Sequence, residues 1–571
     1  MKTPSAPPRR ASGLRALAAN VVPTVCGSGL AVGAMFFLAS LTPGLVPRSA
    51  SAQALLSGAC LAVGYGFGVM LRGLWNYLEL PVPRAARDGR ARKAVLVVSA
   101  TLFLVALWRG QAWNDVITRL MHLPPTGASR ALVVGTGALL VALLLMALGR
   151  GAARLVSWAT AVAARRLPRR FANLLGGVIA GLLLIGLVNG VIIRTVLNGL
   201  DSSYRAADEL IPPDKVAPSE PERPGSPQSL VAWNELGNMG RRFVAGTPTA
   251  EALRELAGPG AKTPLRVYAG LPAAGSPEER ARLALAELKR VDGFSRAALL
   301  IITPTGTGWV DPAAIDSIEY LYRGDIASVA VQYSYLSSPL TLLVDPETGA
   351  VTARALFREV YGHWRTLPPD RRPKLYLHGL SLGAFNSERS FDMFELLGDP
   401  VDGALWSGPP FASTHWRAVT DARNPGTPIW RPQFRDDAFV RFMNQHGPGT
   451  PHDTPWGPMR IVYLQYASDA ITFFDPRGFF RKPAWLEEPR GPDVSAHMRW
   501  IPVVTMMQTA LDMPLSMDAP MGFGHVYSPA HYVAAWLEVT GLDDWEPEAV
   551  ARLQRFLDQR QLRRAEDPGG G

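Results

Sequence analysis

The sequence predicts an α-helical transmembrane bundle followed by an α/β domain, in which helices cover both faces of a mainly parallel sheet. The first 200 residues contain five long apolar runs, and after residue 228 short apolar runs alternate with amphipathic stretches. Runs of about 20 apolar residues can cross a bilayer, and strands that alternate with helices form parallel sheets. A proline-rich linker at 201–228 separates a membrane domain, 1–200, from a second domain, 229–571.

The five apolar runs span 18–41, 54–74, 94–108, 131–149 and 172–197. The third is the shortest. The first is longer than the apolar core of a signal peptide, and four more runs follow it, so we expect a retained helix rather than a cleaved leader. Acidic residues are absent from the middle of these runs. Anchoring is therefore a better interpretation of the bundle than transport, because transport sites place ionisable groups inside the membrane.

The formal net charge of +10 is unevenly distributed along the chain. Residues 1–200 hold 21 Lys and Arg against 3 Asp and Glu, whereas the remainder holds 37 against 45. In the segments that connect the apolar runs, 15 basic residues fall on one side of the predicted membrane and 4 on the other. Basic segments stay in the cytoplasm, which places the amino terminus inside and residues after 197 outside. The acidic second half has no basic stripe with interleaved aromatics, which argues against nucleic-acid binding.

The second half contains six apolar segments that we interpret as strands. They are LRVYAG (265–270), RAALLIITP (296–304), SVAVQYSY (328–335), KLYLHG (374–379), DGALWSG (402–408) and MRIVYLQYA (459–467). Amphipathic helices are predicted between them, for example over 276–291, where Ser276 and Glu279 have the spacing of a capping box. The segment 409–458 is rich in Trp, Phe, Pro and Arg, and we interpret it as a cap over the site.

The strand KLYLHG leads directly into Gly379-Leu380-Ser381-Leu382-Gly383, and a helical stretch follows. A strand, a sharp turn with Gly-x-Ser-x-Gly and a helix are the context of a nucleophile elbow in the α/β-hydrolase fold. Glycines two residues before and after the serine let the neighbouring backbone pack closely. We therefore interpret Ser381 as a nucleophile rather than as part of a structural turn.

A serine hydroxyl needs an oriented base, and in this fold the chain order is Ser, acid, His. His525 lies in GFGHVYSP, a glycine-rich loop before the last predicted helix, and is the preferred base; His531 is the alternative. Asp469 follows its strand by two residues and is the preferred acid, because side chains converge at strand ends. Asp475 is the alternative acid.

The oxyanion hole requires backbone amides that face the developing negative charge. Leu382, the residue after the nucleophile, supplies one. The loop TPTGTGWVDP, 303–312, is expected to supply the other from Thr305, Gly306 or Thr307, and the sequence does not choose among them. This loop lacks the Gly-Lys-Ser/Thr of a nucleotide-binding loop, and no cluster has metal-ligand spacing. We expect neither a cofactor nor a metal.

Several segments resemble a bacterial two-part family that joins a multi-helix membrane domain to an esterase- or lipase-like α/β-hydrolase domain. They are LTPGLVPR (41–48), GYGFG (64–68), GRRFV (240–244), TPTGTGWVDP (303–312), VQYSYLSS (331–338), GLSLGAF (379–385) and DGALWSGPPF (402–411). The resemblance covers nearly the whole chain. Family members often have Glu before the serine, where this sequence has Leu380.

Together these features predict a membrane-anchored serine hydrolase that cleaves an acyl ester outside the cytoplasm, with the lipid bilayer and an acyl-ester or lipid substrate as partners. Two alternatives remain open at this point. The same triad would serve an acyltransferase if the acceptor were an alcohol other than water. A non-catalytic membrane scaffold with a degenerate hydrolase fold is the third reading, and the ordered Ser, Asp and His argue against it. The sequence predicts no oligomeric state.

Overall fold

The computed structural model describes residues 26–81, 89–127, 129–165, 216–447 and 454–566, with a few single positions between 166 and 215. The chain divides into two compact units. The first comprises Met1–Ala180, Pro476–Lys482 and Ser495–Asp512; the second comprises Gly181–Asp475, Pro483–Val494 and Met513–Gly571. Two segments from late in the chain therefore belong to the first unit, which the sequence analysis did not predict.

The first unit contains one short and three long apolar helices among its described residues: α1 (Gly27–Ser40), then α2 (Ala50–Tyr77), α3 (Gly89–Leu120) and α4 (Ser129–Ala163). Three of them contain segments long and apolar enough to cross a membrane: Ala50–Tyr77, Lys93–Leu120 and Ser129–Val162. The predicted second, third and fourth apolar runs are confirmed as helices that could cross a membrane. The third is much longer than its apolar run because polar residues near its end still form helix. Residues 18–25 and nearly all of the fifth run, 172–197, lie outside the described residues.

The second unit is built on a sheet of seven parallel strands. They are β1 (Leu265–Ala269), β2 (Ala298–Thr303), β3 (Ile326–Val331), β4 (Lys374–Leu380), β5 (Gly403–Ser407), β6 (Val440–Met443) and β7 (Arg460–Leu464). Their order is β1-β3-β2-β4-β5-β7-β6. The α/β class with a parallel sheet and the six predicted strands are confirmed. The edge strand β6 was missed, and it lies within the segment that the sequence analysis assigned to a cap.

Helices cover both faces of this sheet, which is why residues on both sides of the central strands are buried. The remaining α-helices of the described chain are α5 (Gly237–Ala245), α6 (Ala250–Ala257), α7 (Pro277–Arg290), α8 (Pro312–Leu321), α9 (Ser338–Val344), α10 (Thr348–Thr366), α11 (Leu382–Ser387), α12 (Met393–Leu396), α13 (Thr414–Asp421), α14 (Ala470–Phe473), α15 (Val504–Ser516), α16 (Pro529–Thr540) and α17 (Pro547–Glu566). The predicted capping box of α7 is present, with Ser276 accepting from the Glu279 amide.

The late segment 495–512 is held in the first unit by a buried ion pair. Arg48, in the loop between α1 and α2, donates from Nε to Asp512 Oδ1 at 2.7 Å and from Nη2 to Oδ2 at 2.9 Å. The Leu45 amide also donates to Asp512, at 2.9 Å. Both side chains are almost completely buried. Two parallel charge-assisted hydrogen bonds offset part of the loss of hydration that burial imposes on such a pair.

Candidate active site

Ser381 occupies a strained turn between β4 and α11. Its backbone angles are φ 56° and ψ −124°, a conformation that costs free energy for a residue with a side chain. The Ser381 amide donates to Ser407 O, at the end of β5, at 2.9 Å. A Cβ on Gly379 would lie 2.3 Å from the backbone carbon of Gly383, so the turn requires a residue without a side chain there. The turn has the geometry expected of a nucleophile elbow.

Asp469 and His525 meet at the carboxyl end of the sheet. His525 Nδ1 lies 2.7 Å from Asp469 Oδ2, and both side chains are buried. Asp469 follows β7 and caps α14, since its Oδ1 accepts from the Ile471 amide at 2.9 Å. Thr472 Oγ1 donates to Oδ2 at 3.2 Å. Hydrogen bonds within its own chain segment therefore hold the carboxylate in position, independently of its contact with the imidazole.

Residues 407 and 408 contact Ser381 and His525, respectively. Ser407 accepts from the Ser381 amide, and a Cβ added to Gly408 would lie 2.6 Å from His525 Cε1. His525 Nε2 is buried and makes no hydrogen bond with any residue that the structure describes, Ser381 included. The nitrogen opposite the Asp469 contact is thus unoccupied. Catalytic hydrogen bonds in proteins without substrate are often long or poorly aligned.

The alternative base, His531, and the alternative acid, Asp475, lie in different surroundings from His525 and Asp469. His531 Nδ1 lies 2.6 Å from the Tyr466 hydroxyl, and burial lowers the pKa of His531 to about 4. His531 is therefore neutral and hydrogen-bonded to Tyr466. Asp475 is half-buried at the end of the segment that follows α14. The structure brings Asp469, not Asp475, to the His525 ring.

The loop after β2 packs against the start of α11. A Cβ on Gly383 would lie 2.3 Å from Thr303 O, so the loop backbone approaches the helix closely. The Thr305 amide donates to Trp309 O at 2.9 Å, and the Gly306 amide donates to Ser338 Oγ at 3.1 Å. Among the described residues, the Thr307 amide has no acceptor. Of the three amides left open by the sequence, that of Thr307 is thus the one without a hydrogen bond within the described chain, and the oxyanion-hole assignment stays a prediction.

The comparisons with known proteins agree with this architecture. Residues 265–553 match the model of an alpha/beta-hydrolase family, and residues 41–248 match the model of that family's N-terminus. The chain belongs to this alpha/beta-hydrolase family. No curated protein and no solved structure gives a significant match. The predicted two-part family is thus confirmed across both parts of the chain.

Two side chains of this alpha/beta-hydrolase support the site and were not selected from the sequence. The Tyr527 hydroxyl donates to Asp469 Oδ2 at 2.8 Å, so the same oxygen receives both Tyr527 and His525. Ser468 Oγ accepts from the Gly524 amide at 2.9 Å and thereby joins the acid loop to the histidine loop. Neither Tyr527 nor Ser468 belongs to a sequence motif that would identify it. The position of Tyr527 two residues after His525 is the only signal in the sequence.

A buried carboxylate, Glu388, follows α11 in this alpha/beta-hydrolase. Glu388 accepts from the amides of His415 and Trp416 and, at 3.1 Å, from the Tyr463 hydroxyl. Burial raises the pKa of Glu388 to about 7 in spite of these donors. The contacts tie the end of the α11 segment to the start of α13. The described residues contain no group of three or more His, Cys, Asp or Glu that would hold a metal ion.

Proposed function

We propose that this protein is a membrane-anchored serine hydrolase that cleaves an acyl ester. The observation that carries the proposal is the 2.7 Å contact between His525 Nδ1 and Asp469 Oδ2, with His525 Nε2 free of any described hydrogen bond. The Ser381 turn is bonded to Ser407, the neighbour of Gly408 at the His525 ring. An acid, an oriented base and a serine in a strained turn are the components of a nucleophilic triad.

The roles follow from this arrangement. Ser381 Oγ attacks the ester carbonyl carbon while His525 Nε2 takes the hydroxyl proton. Asp469 holds the imidazole tautomer and stabilises the imidazolium. The amides of Leu382, at the start of α11, and of Thr307 donate to the oxyanion. The intermediate collapses to an acyl-serine as His525 returns the proton to the leaving alcohol. Water, activated by the same base, then releases the acid.

The membrane helices support a location at the bilayer. We place the catalytic unit outside the cytoplasm on the asymmetry of 15 basic residues against 4 among the connecting segments of the first 200 residues. A hydrolase anchored beside a bilayer meets amphiphilic esters at high local concentration. An acyl ester with a lipid-like chain is therefore the substrate class that we propose.

A fluorophosphonate probe, which modifies activated serines, tests this function on the purified full-length protein. We expect the wild type to be labelled and Ser381→Ala to lose the label. Ser413→Ala is the matched control, because Ser413 is a buried serine whose Oγ has no described hydrogen-bond partner. Failure of the wild type to react, or equal labelling of Ser381→Ala, would show that the site is not a hydrolase site.

A further inference from the structure

The first unit contains a small cavity that is open at one side. Its walls come from the loop 41–48, the second half of α3 and the first turns of α4. None of its lining residues belongs to the Ser381 site. The cavity lies where the carboxyl ends of α1 and α3 meet the amino ends of α2 and α4, so it lies at one end of the bundle.

Two arginines line this cavity, and only one of them has a carboxylate partner. Arg48 is paired with Asp512. Arg130 has no carboxylate oxygen within 4.0 Å among the described residues. The nearby Asp115 accepts instead from Gln111 Nε2 at 3.3 Å and from Thr126 Oγ1 at 3.2 Å. The guanidinium of Arg130 therefore brings an unpaired positive charge to the cavity.

The hydrogen-bonding groups of the cavity complement that charge. Arg130 lies in the first turn of α4, where the helix dipole also favours an anion. Gln111 donates from Nε2 to Thr126 Oγ1 at 2.8 Å, and its Oε1 is buried without a partner among the described residues. The wall thus offers a cation for an anionic group and, beside it, an acceptor for a hydroxyl or ammonium group.

We propose that this cavity binds a phosphoryl group that carries a hydroxyl- or ammonium-bearing substituent, as in the headgroup of a phospholipid. Arg130 pairs with the phosphate, and Gln111 Oε1 accepts from the substituent. The outer surface of α4 beyond the cavity exposes Leu132, Leu139 and Leu140, which suits acyl chains and favours a lipid over a free phosphate. The site is independent of the hydrolase reaction.

The test uses the full-length protein in neutral detergent and three probes: dihexanoyl-phosphatidylglycerol below its micellar concentration, inorganic phosphate and dihexanoyl-glycerol. Binding is followed by native mass spectrometry and by the ligand-dependent rise in melting temperature. We expect saturable, one-to-one binding of phosphatidylglycerol. Arg130→Gln should weaken it by about tenfold, because a hydrogen bond to a charged group contributes on the order of 1.5 kcal/mol.

Arg119→Gln is the matched control, since Arg119 is an exposed arginine on α3 that does not line the cavity. A second variant, Ala131→Glu, places a carboxylate on the wall without removing a described hydrogen bond, and it should also weaken binding. Equal, Arg130-dependent binding of inorganic phosphate would support the phosphoryl site and identify free phosphate as its occupant. Binding of dihexanoyl-glycerol alone, or phosphatidylglycerol binding unchanged in both variants, would overturn the proposal.

Discussion

The Tyr527 hydroxyl donates a hydrogen bond to Asp469 Oδ2, the carboxylate oxygen that also contacts His525 Nδ1. Burial and the neighbouring carboxylate hold the pKa of Tyr527 well above its ordinary value, so the hydroxyl remains a donor across the working pH range. Tyr527 therefore shares the negative charge of Asp469 and fixes the oxygen that orients the imidazole. It acts through Asp469 as a positioning residue.

Tyr527→Phe should lower kcat by roughly tenfold, because the lost hydrogen bond to a charged group is worth about 1.5 kcal/mol. With one donor fewer, the carboxylate stabilises the imidazolium more strongly. The acidic limb of the kcat/KM profile should then move to higher pH, an effect that loss of packing alone would not produce. Tyr361→Phe, which removes a hydroxyl bonded to Asp399 O, is the control. An unmoved acidic limb would refute the positioning role.

Asp469→Asn should lower turnover by about 10⁴-fold, because the amide favours the wrong imidazole tautomer. The fold should persist, since Asn also caps helices well and Asp469 caps α14. Asp475→Asn should leave turnover nearly unchanged. Hydrolysis of a short-chain nitrophenyl ester by both variants, with melting curves to verify folding, checks this. An inactive Asp475→Asn beside an active Asp469→Asn would move the site to the later carboxylate.

Gly408→Ala should lower kcat by about 10²-fold while the protein still folds. The new Cβ would lie 2.6 Å from His525 Cε1, and displacing a catalytic group by about 1 Å has a cost of this order. Gly426→Ala is the matched control: Gly426 also has a positive φ, 84°, but its Cβ would meet no atom within 4 Å. Equal activities of the two variants would mean that His525 does not depend on the space at Gly408.

Glu388 should make the stability of the protein pH-dependent. Its pKa is raised from 4.5 to about 7 in the folded state, so the folded state binds the proton more tightly than the unfolded state. The resulting stabilisation is complete below about pH 4.5 and is lost as pH rises to about 7, a change of roughly 3 kcal/mol.

The side-chain amide in Glu388→Gln does not titrate, so this variant should lack the pH-dependent contribution to stability. We expect the melting temperature of the wild type, relative to the variant, to fall steadily between pH 4.5 and 7. Taking the difference at each pH cancels the other titrating groups. Parallel melting curves for the two proteins over this window would contradict the assignment.

The orientation in the membrane is testable with fusions at the carboxyl terminus. Because basic residues concentrate on one side of the predicted helices, we expect an alkaline phosphatase fusion to be active and a green fluorescent protein fusion to be dark. Fusions after residue 165, which follows α4, provide the matched comparison and should give the opposite pattern. A fluorescent, phosphatase-negative carboxyl terminus would place the second unit in the cytoplasm.

The sequence by itself determined the two-part architecture, the strands β1 to β5 and β7, and the turn that carries Ser381. These features are local. An apolar run long enough to cross a bilayer, an alternation of strands with helices and a glycine-flanked serine after a strand are each written in consecutive residues. The same reasoning reached Asp469 and His525 as preferred candidates because strand ends and late glycine-rich loops are also recognisable locally.

Only the tertiary structure decided which distant groups meet. It placed Asp469 rather than Asp475 against His525 and brought the Tyr527 hydroxyl to Asp469. It also gave the amides of Thr305 and Gly306 hydrogen-bond acceptors, whereas the Thr307 amide has none among the described residues. The edge strand β6 was missed because four residues, including the buried Arg441, become a strand only by pairing with β7. Asp512 likewise joins the first unit through Arg48, 464 residues away along the chain. Such contacts depend on the packing of the whole chain, and no spacing within a short segment encodes them.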